Sequence, residues 1–313
     1  MRLLPLWIFA ISVLILTSSV EVTAKALSVM VAEHANVEAG VAEPAQILWA
    51  VPNWPPFFTR DRKAPGVSNQ MLQLLQSQMI DYHHENLEIN TPKLVELWQQ
   101  GRNICSSNIL FNGEREKYGY FSPLWVYPPL HVIVREESLA SFTKGAKAIN
   151  VFELIKNSHF KGILIKGRSY GPPVDEIIPK LSENAFINLI SPLGNWNDYL
   201  NMISNNRADY TIDYPKVVKL FNETHAGNKR LAAIPISGYE KPFIVHVACT
   251  KNPWGRAVIK ELDRKIQTLA KEKSYRDLQE KLFANEPSVV QQKDIDQFIL
   301  KRAKGPWFWG PMD

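Results

Sequence analysis

The chain has 313 residues, 45% of them hydrophobic and 21% charged, with a formal net charge of +5 and two cysteines. Two cysteines are too few for a disulfide scaffold, so apolar cores must hold the fold, and this length suits two lobes better than one. The basic residues are scattered, which excludes a concentrated nucleic-acid footprint.

The N-terminus opens with Arg2 and an apolar run over residues 3–16. Small and polar residues follow, with Val22-Thr23-Ala24 and Ala24-Lys25-Ala26 as two cleavage boundaries. This is the order of a secretory signal peptide, and the run is shorter than the roughly 20 apolar residues of a spanning helix. Residues 1–24 are expected to be removed on export to the periplasm, the alternative being an uncleaved anchor. No cysteine precedes Cys105, so a lipid-bearing cysteine is not expected to tether the mature chain. Export would place Cys105 and Cys249 in an oxidising compartment; spacing alone leaves open whether they pair.

Residues 25–44, rich in Ala, Val and Glu, form a leader or linker. A buried-strand run follows over 47–51, ended by Pro52-Asn53 and a proline-rich loop, Trp54-Pro55-Pro56-Phe57-Phe58. Met71, Leu72, Leu75, Met79 and Ile80 share one helix face over 69–80. Residues 87–89 alternate as a strand. Thr91 is expected as an N-cap with Pro92 at the first helical position, the helix ending at Gly101. A strand over 103–110 completes the β-α-β-α-β rhythm of a parallel α/β lobe.

That rhythm returns. Strands are expected at 162–165, 186–190 and 208–212. Helices are expected through Ile177 and Ile178, over 196–203 and over 216–221. The runs 130–134 and 243–248 are the expected crossovers between lobes. Val258, Ile259, Leu262, Ile266 and Leu269 mark one amphipathic helix, and Tyr275, Leu278 and Leu282 another.

Several motifs stand in a familiar order. Ile47-Leu-Trp-Ala-Val-Pro-Asn-Trp-Pro-Pro-Phe-Phe58 resembles the opening of the type 2 periplasmic solute-binding proteins, of the amino-acid-binding, family 3-like group. Gly101-Arg-Asn-Ile-Cys-Ser-Ser107, Glu114-Arg115-Glu116, Tyr120-Phe-Ser-Pro123 and Asn206-Arg-Ala-Asp-Tyr210 resemble later segments of that family, together spanning about 47–283. A Cys in the first motif and Trp254-Gly255 resemble one exported group within it. The resemblance implies an α/β, two-lobed fold, each lobe a mixed sheet flanked by helices, with two crossover strands. Lobe one would be 45–125 plus 251–283, lobe two 126–250, and 284–313 a C-terminal extension. An amino acid or small carboxylate-bearing molecule would sit in the cleft and be held by hinge closure. The partner would be an ABC-type membrane permease or a sensor protein. The chain is expected to be a monomer without metal, cofactor or nucleic acid.

Loops beyond the carboxyl ends of strands carry the expected site. Trp54 offers a stacking wall, or else caps the core. Asn108 offers both donor and acceptor at a strand mouth. The resemblance makes Arg115 a bidentate carboxylate clamp; the alternative is a surface ion pair with a neighbouring Glu. Gly167-Arg168-Ser169-Tyr170-Gly171 joins a strand to a helix, where backbone N–H groups favour an anion. Ser169 there either caps the helix or touches the ligand, and Tyr170 faces Trp54 as the cleft shuts. Asp213 stands near the place where the family sets an acid against the ligand ammonium. It falls one residue early, and Tyr214 takes the usual place. Leu110 replaces a usual hydroxyl.

Other chemistry is weaker. His83-His84 lacks the i, i+4 pairing of a helical metal site and is expected in a solvated loop. Cys105 has no assignable base, so a nucleophilic role is set aside. A dehydratase of the same fold is the enzymatic alternative, and no carboxyl group is assignable as its general acid. Trp307, Phe308 and Trp309 either dock a partner or fold back on the chain.

Overall fold

The computed structural model describes residues 45–307, apart from 157–158, 184–185, 192–194 and 285–291. The signal-peptide and leader readings, and Phe308 and Trp309, lie outside the described residues. Among those described, no helix is long and apolar enough to cross a membrane.

The first sheet has strand order β2-β1-β3-β10-β4. It comprises β1 (Ala45–Val51), β2 (Tyr82–Glu88), β3 (Ile104–Leu110), β4 (Gly119–Tyr127) and β10 (Phe243–Thr250). β1 runs parallel to β3, while β10 is antiparallel to both β3 and β4. Helix α1 (Val67–Gln78) buries Met71, Leu72 and Leu75 in the core. It ends two residues before Ile80, which projects into solvent at 81% exposure rather than extending the apolar face. Helix α2 (Thr91–Gln99) is capped by Asn90, whose side chain accepts from the Lys93 N–H. Thr91 is thus the first helical residue, not the cap. Pro92 fits because the first-turn N–H groups have no intrahelical partner. Leu94 and Trp98 of α2 join Phe121 and Ala248 in a second core on the other face of this sheet.

The short helix α3 (Gly113–Glu116) lies between β3 and β4. After β4 the chain passes to the second sheet, of order β7-β6-β8-β5-β9. Its strands are β5 (His131–Arg135), β6 (Gly162–Ile165), β7 (Ile187–Ile190), β8 (Tyr210–Asp213) and β9 (Leu231–Pro235). β6 is parallel to β7 and β8, while β5 is antiparallel to β8 and β9. Helices α4 (Leu139–Thr143), α5 (Val151–Lys156), α6 (Pro172–Asp175), α7 (Asp198–Ser204) and α8 (Pro215–Thr224) accompany this sheet in sequence. The helix expected through Ile177 and Ile178 is instead the single turn α6 followed by a 3-10 segment, Ile178–Glu183.

Both crossings differ from expectation, and the run 130–134 falls largely in β5 of the second sheet. β10 is hydrogen-bonded along its length between β3 and β4, so 243–248 belongs to the first sheet. The chain therefore returns before Phe243, and two passes, after Tyr127 and after Pro235, join the sheets. Cys105 and Cys249 sit opposite one another on β3 and β10 and form a disulfide.

Helices α9 (Pro253–Leu269) and α10 (Lys273–Phe283) pack on the first sheet. Gly255, in the first turn of α9, lies close to the Thr250 carbonyl, where an added Cβ would be 1.8 Å from that oxygen. Helix α11 (Gln292–Lys304) continues this layer against α9 and β4. Its Arg302 is fully buried and donates to Asp263 Oδ1 at 2.6 Å and to the Pro123 carbonyl at 2.9 Å. Asp263 also accepts from the Ser122 hydroxyl at 2.6 Å and the Trp307 N–H at 3.0 Å. Trp307 folds back, its ring 3.9 Å from Lys301 Nζ.

His83 and His84 lie in β2, not in a loop. His84 Nδ1 accepts from Trp49 Nε1–H at 3.0 Å, which leaves its Nε2–H to donate to the Met79 carbonyl at 3.0 Å. Both ring nitrogens are used structurally, and no metal-competent cluster occurs among the described residues.

Candidate functional site

Strand ends from both sheets converge on one cavity of about 490 Å³. From the first sheet it takes Trp54 after β1, Asn108 and Leu110 from β3, Arg115 from α3 and Tyr127 at the end of β4. From the second it takes Lys166, Arg168 and Ser169 after β6, Trp196 and Tyr199 near α7, and Tyr214 after β8. Parallel strands deliver their following loops to one edge, which is why residues distant in sequence meet here.

Arg115 is buried and has no carboxylate within ion-pair distance among the described residues. Asn112 caps α3 through the Arg115 N–H, and this turns the side chain towards the cleft. Nη1 donates to the Leu110 carbonyl at 2.7 Å and Nη2 to the Gly167 carbonyl at 2.8 Å. The surface ion pair with Glu114 does not form, because Glu114 takes Lys117 instead. Burial pulls the Arg115 pKa down to about 10, with Asp175 working weakly the other way. The group is still a cation near neutral pH, and a desolvated one.

Trp54 packs against Phe57 and stacks with Tyr127, at ring separations of 4.5 and 6.5 Å. It thus serves the core and the cavity together. Among the described residues its Nε1–H has no hydrogen-bond partner, and neither does Asn108 Oδ1, and both are buried. Leaving such groups unpaired costs on the order of 1–3 kcal/mol each.

Trp54, Asn108, Arg115, Ser169 and Tyr214 are on the cavity wall. Tyr170 and Asp213 are behind it. The Tyr170 hydroxyl accepts from the Ile165 N–H at 2.7 Å and its ring is fully buried, so it does not face Trp54 across open space. Asp213 is fully buried and held by Arg168 through two parallel bonds of 2.8 and 2.9 Å. The Tyr199 hydroxyl and the Tyr214 N–H also donate to it. Burial works to lower the Arg168 pKa, but Asp213 outweighs it and the pKa is raised.

The anion-favouring turn at 167–171 is also already filled. Asp175 accepts from the Ser169 hydroxyl and from the Tyr170 N–H. Helix α6 has only four residues and begins with two prolines, which bring no N–H. Ser169 therefore ties its own turn together while presenting one face to the cavity.

Sequence reasoning missed Tyr127, Lys166, Arg168, Trp196, Tyr199 and the pair Arg60–Glu88 at the cavity. Trp196 and Tyr199 stand three apart around a helix start, a visible signal. Arg168 lies in the turn from Gly167 to Gly171, but its Asp213 partner is 45 residues away.

Two mixed sheets flanked by helices, joined by two passes and meeting at their strand ends, define the periplasmic-binding-protein-like two-lobe fold. Solved structures match it across most of the chain, amino-acid ABC transporter substrate-binding proteins among them. A putative L-cystine ABC transporter from Listeria monocytogenes matches with a TM-score of 0.59 at 18% identity, covering 78% of this chain and 98% of that one. An amino acid ABC transporter substrate-binding protein from Streptococcus pneumoniae, bound to L-arginine, gives 0.57 at 18% identity, covering 77% and 94%. A histidine kinase sensor domain similar to periplasmic binding proteins gives 0.60 at 13% identity, covering 78% and 99%. No protein-family model and no curated protein matches the sequence.

Proposed function

We propose that this chain is an exported solute-binding protein that captures a small carboxylate-bearing molecule between its lobes and presents it to an ABC-type permease. One observation carries the reading: the buried, acid-free Arg115 shares a cavity with the unpartnered Trp54 Nε1–H and Asn108 Oδ1. A carboxylate takes the free donors of a guanidinium, and a polar ligand completes the other two groups. Hinge closure follows from ligand contact with both lobes at once, which favours the closed population. The matched structures named as ABC transporter binding proteins support the same reading.

A thermal-shift screen of small carboxylates and amino acids tests it. A ligand at 100 times its dissociation constant adds about 2.7 kcal/mol. Lack of stabilisation across the screen sinks the proposal. Export is tested by mass spectrometry of the mature protein, with an N-terminus expected near Lys25 or Leu27.

The sensor reading rests on the match to a histidine kinase sensor domain, and a pull-down from membranes decides between permease and sensor. A dehydratase gains no support from the cavity. Glu88, the acid on its wall among the described residues, is bound by Arg60.

A further inference from the structure

Arg168 occupies a box that has the makings of an organic-cation site. Its guanidinium carbon lies 5.0 Å from the Trp54 ring centroid, 5.3 Å from Tyr170 and 5.8 Å from Tyr214. Aromatic faces at such distances attract cations. The floor of the box is Asp213, fully buried, whose two oxygens take both terminal nitrogens of Arg168. With Tyr199 and the Tyr214 N–H also donating, Asp213 accepts four hydrogen bonds, about the full capacity of a carboxylate.

We propose that Arg168 is a built-in cation that permanently fills this subsite, so that the cavity selects organic acids lacking an ammonium group. The inference rests on the function proposed above and narrows its substrate class. A ligand ammonium would have to displace a tethered guanidinium, which acts at a high effective concentration. It would also have to break a bidentate, desolvated ion pair and leave Arg168 buried without its acid.

Among the described residues, the remaining wall gives it no unengaged acid. Among those residues, Arg60, Lys93, Arg115, Lys166 and Arg168 line the cavity against the acid Glu88. Glu88 is engaged by Arg60, whose Nε donates to it at 2.8 Å. Asp175 is turned away onto Ser169 and Tyr170. Arg115 and Lys166 have no acid partner among the described residues. Such a field favours a ligand with one or two carboxylates and penalises an added positive charge.

Calorimetric titration of the wild-type protein with matched pairs tests this: succinate against L-aspartate, and glutarate against L-glutamate. The amino-free member of a pair is expected to bind at least about tenfold tighter. An amino acid binding as tightly as its counterpart, or tighter, overturns the inference while leaving the solute-binding reading intact. If neither member of either pair binds, the assignment of the cavity to small carboxylates fails and takes this inference with it. Arg168→Ala empties the box, and millimolar ethylguanidinium is then expected to raise the melting temperature of the variant but not of the wild type. Absence of that rescue in a folded variant overturns the cation-box assignment. Should the alanine variant not fold, Arg168→Lys keeps the charge and loses the two-point geometry. Its affinity ratio is expected to shift towards the amino acids, and an unchanged ratio counts against the proposal.

Discussion

Arg115 and Gly167 meet across the cleft, the guanidinium Nη2 donating to the glycine carbonyl at 2.8 Å. Arg115 follows β3 of the first sheet and Gly167 follows β6 of the second. One side chain thus both lines the cavity and ties the two lobes together. Arg115→Ala is expected to weaken binding of an anionic ligand by about 2–5 kcal/mol, the range for truncating one partner of a buried charge pair. Titration with the ligand found in the screen reads this directly. Unchanged affinity at unchanged melting temperature would reduce Arg115 to a structural tie.

Gly167 itself sits in close quarters. It has a φ of +74°, and a Cβ there would lie 2.7 Å from Pro92 Cγ on the opposite lobe. Gly167→Ala therefore adds backbone strain of about 1–2 kcal/mol and pushes the lobes apart. Wild-type protein is expected to show a smaller radius of gyration by small-angle scattering when ligand is added, and the variant a smaller change. A tight ligand that leaves the wild-type scattering curve unmoved would contradict hinge closure.

The parts of the site legible in the sequence are those set by local order. Trp54 and Arg115 follow strands and Asn108 lies near the end of β3, and a parallel strand pattern delivers such ends to one edge. What was not legible is pairing at long range. An apolar run such as 243–248 carries no mark of which sheet it joins, and β10 enters the first sheet through partners on β3 and β4. Asp213 falls one residue before the place where the family sets an acid, and its ion pair with Arg168, on a different loop, left no mark in the local sequence. The disulfide was open for the same reason: only the register of β3 with β10 brings Cys105 opposite Cys249.

The C-terminal helix is held by a buried charge. Arg302 of α11 and Asp263 of α9 are 2.6 Å apart, and Ser122, Pro123 and Trp307 complete their hydrogen bonds. Breaking one partner of such a pair strands the other, at a cost of about 3–5 kcal/mol. Arg302→Ala is expected to lower the unfolding free energy by that amount, measured by urea denaturation. A double replacement of Arg302 and Asp263 by apolar residues should recover part of the loss. A variant as stable as wild type would mean that α11 does not support the first lobe.

Stability should also fall in mild acid, and His246 on β10 is the main reason. The ring is buried against Phe111 and Phe121. Burial pulls its pKa down from 6.5 to about 4, with contacts to the Ile109 and Ile244 backbone working against the shift. The unfolded chain therefore binds a proton at a pH where the folded chain does not. By linkage, the contribution of His246 is whole above about pH 6.5 and declines as pH falls towards 4. The full loss is about 3 kcal/mol. His131 is lowered in the same direction by burial and adds to the slope. Glu88 acts at lower pH: the Arg60 hydrogen bond holds its pKa down, so its contribution is lost only as pH falls below the ordinary carboxylate range. Urea unfolding at several pH values between 7.5 and 4.5 is expected to show stability falling with pH in the wild type. His246→Asn should flatten that dependence, whatever it does to stability at neutral pH. If the two proteins keep the same slope, His246 is not buried as a neutral ring, and the packing of β10 against Phe121 is other than described.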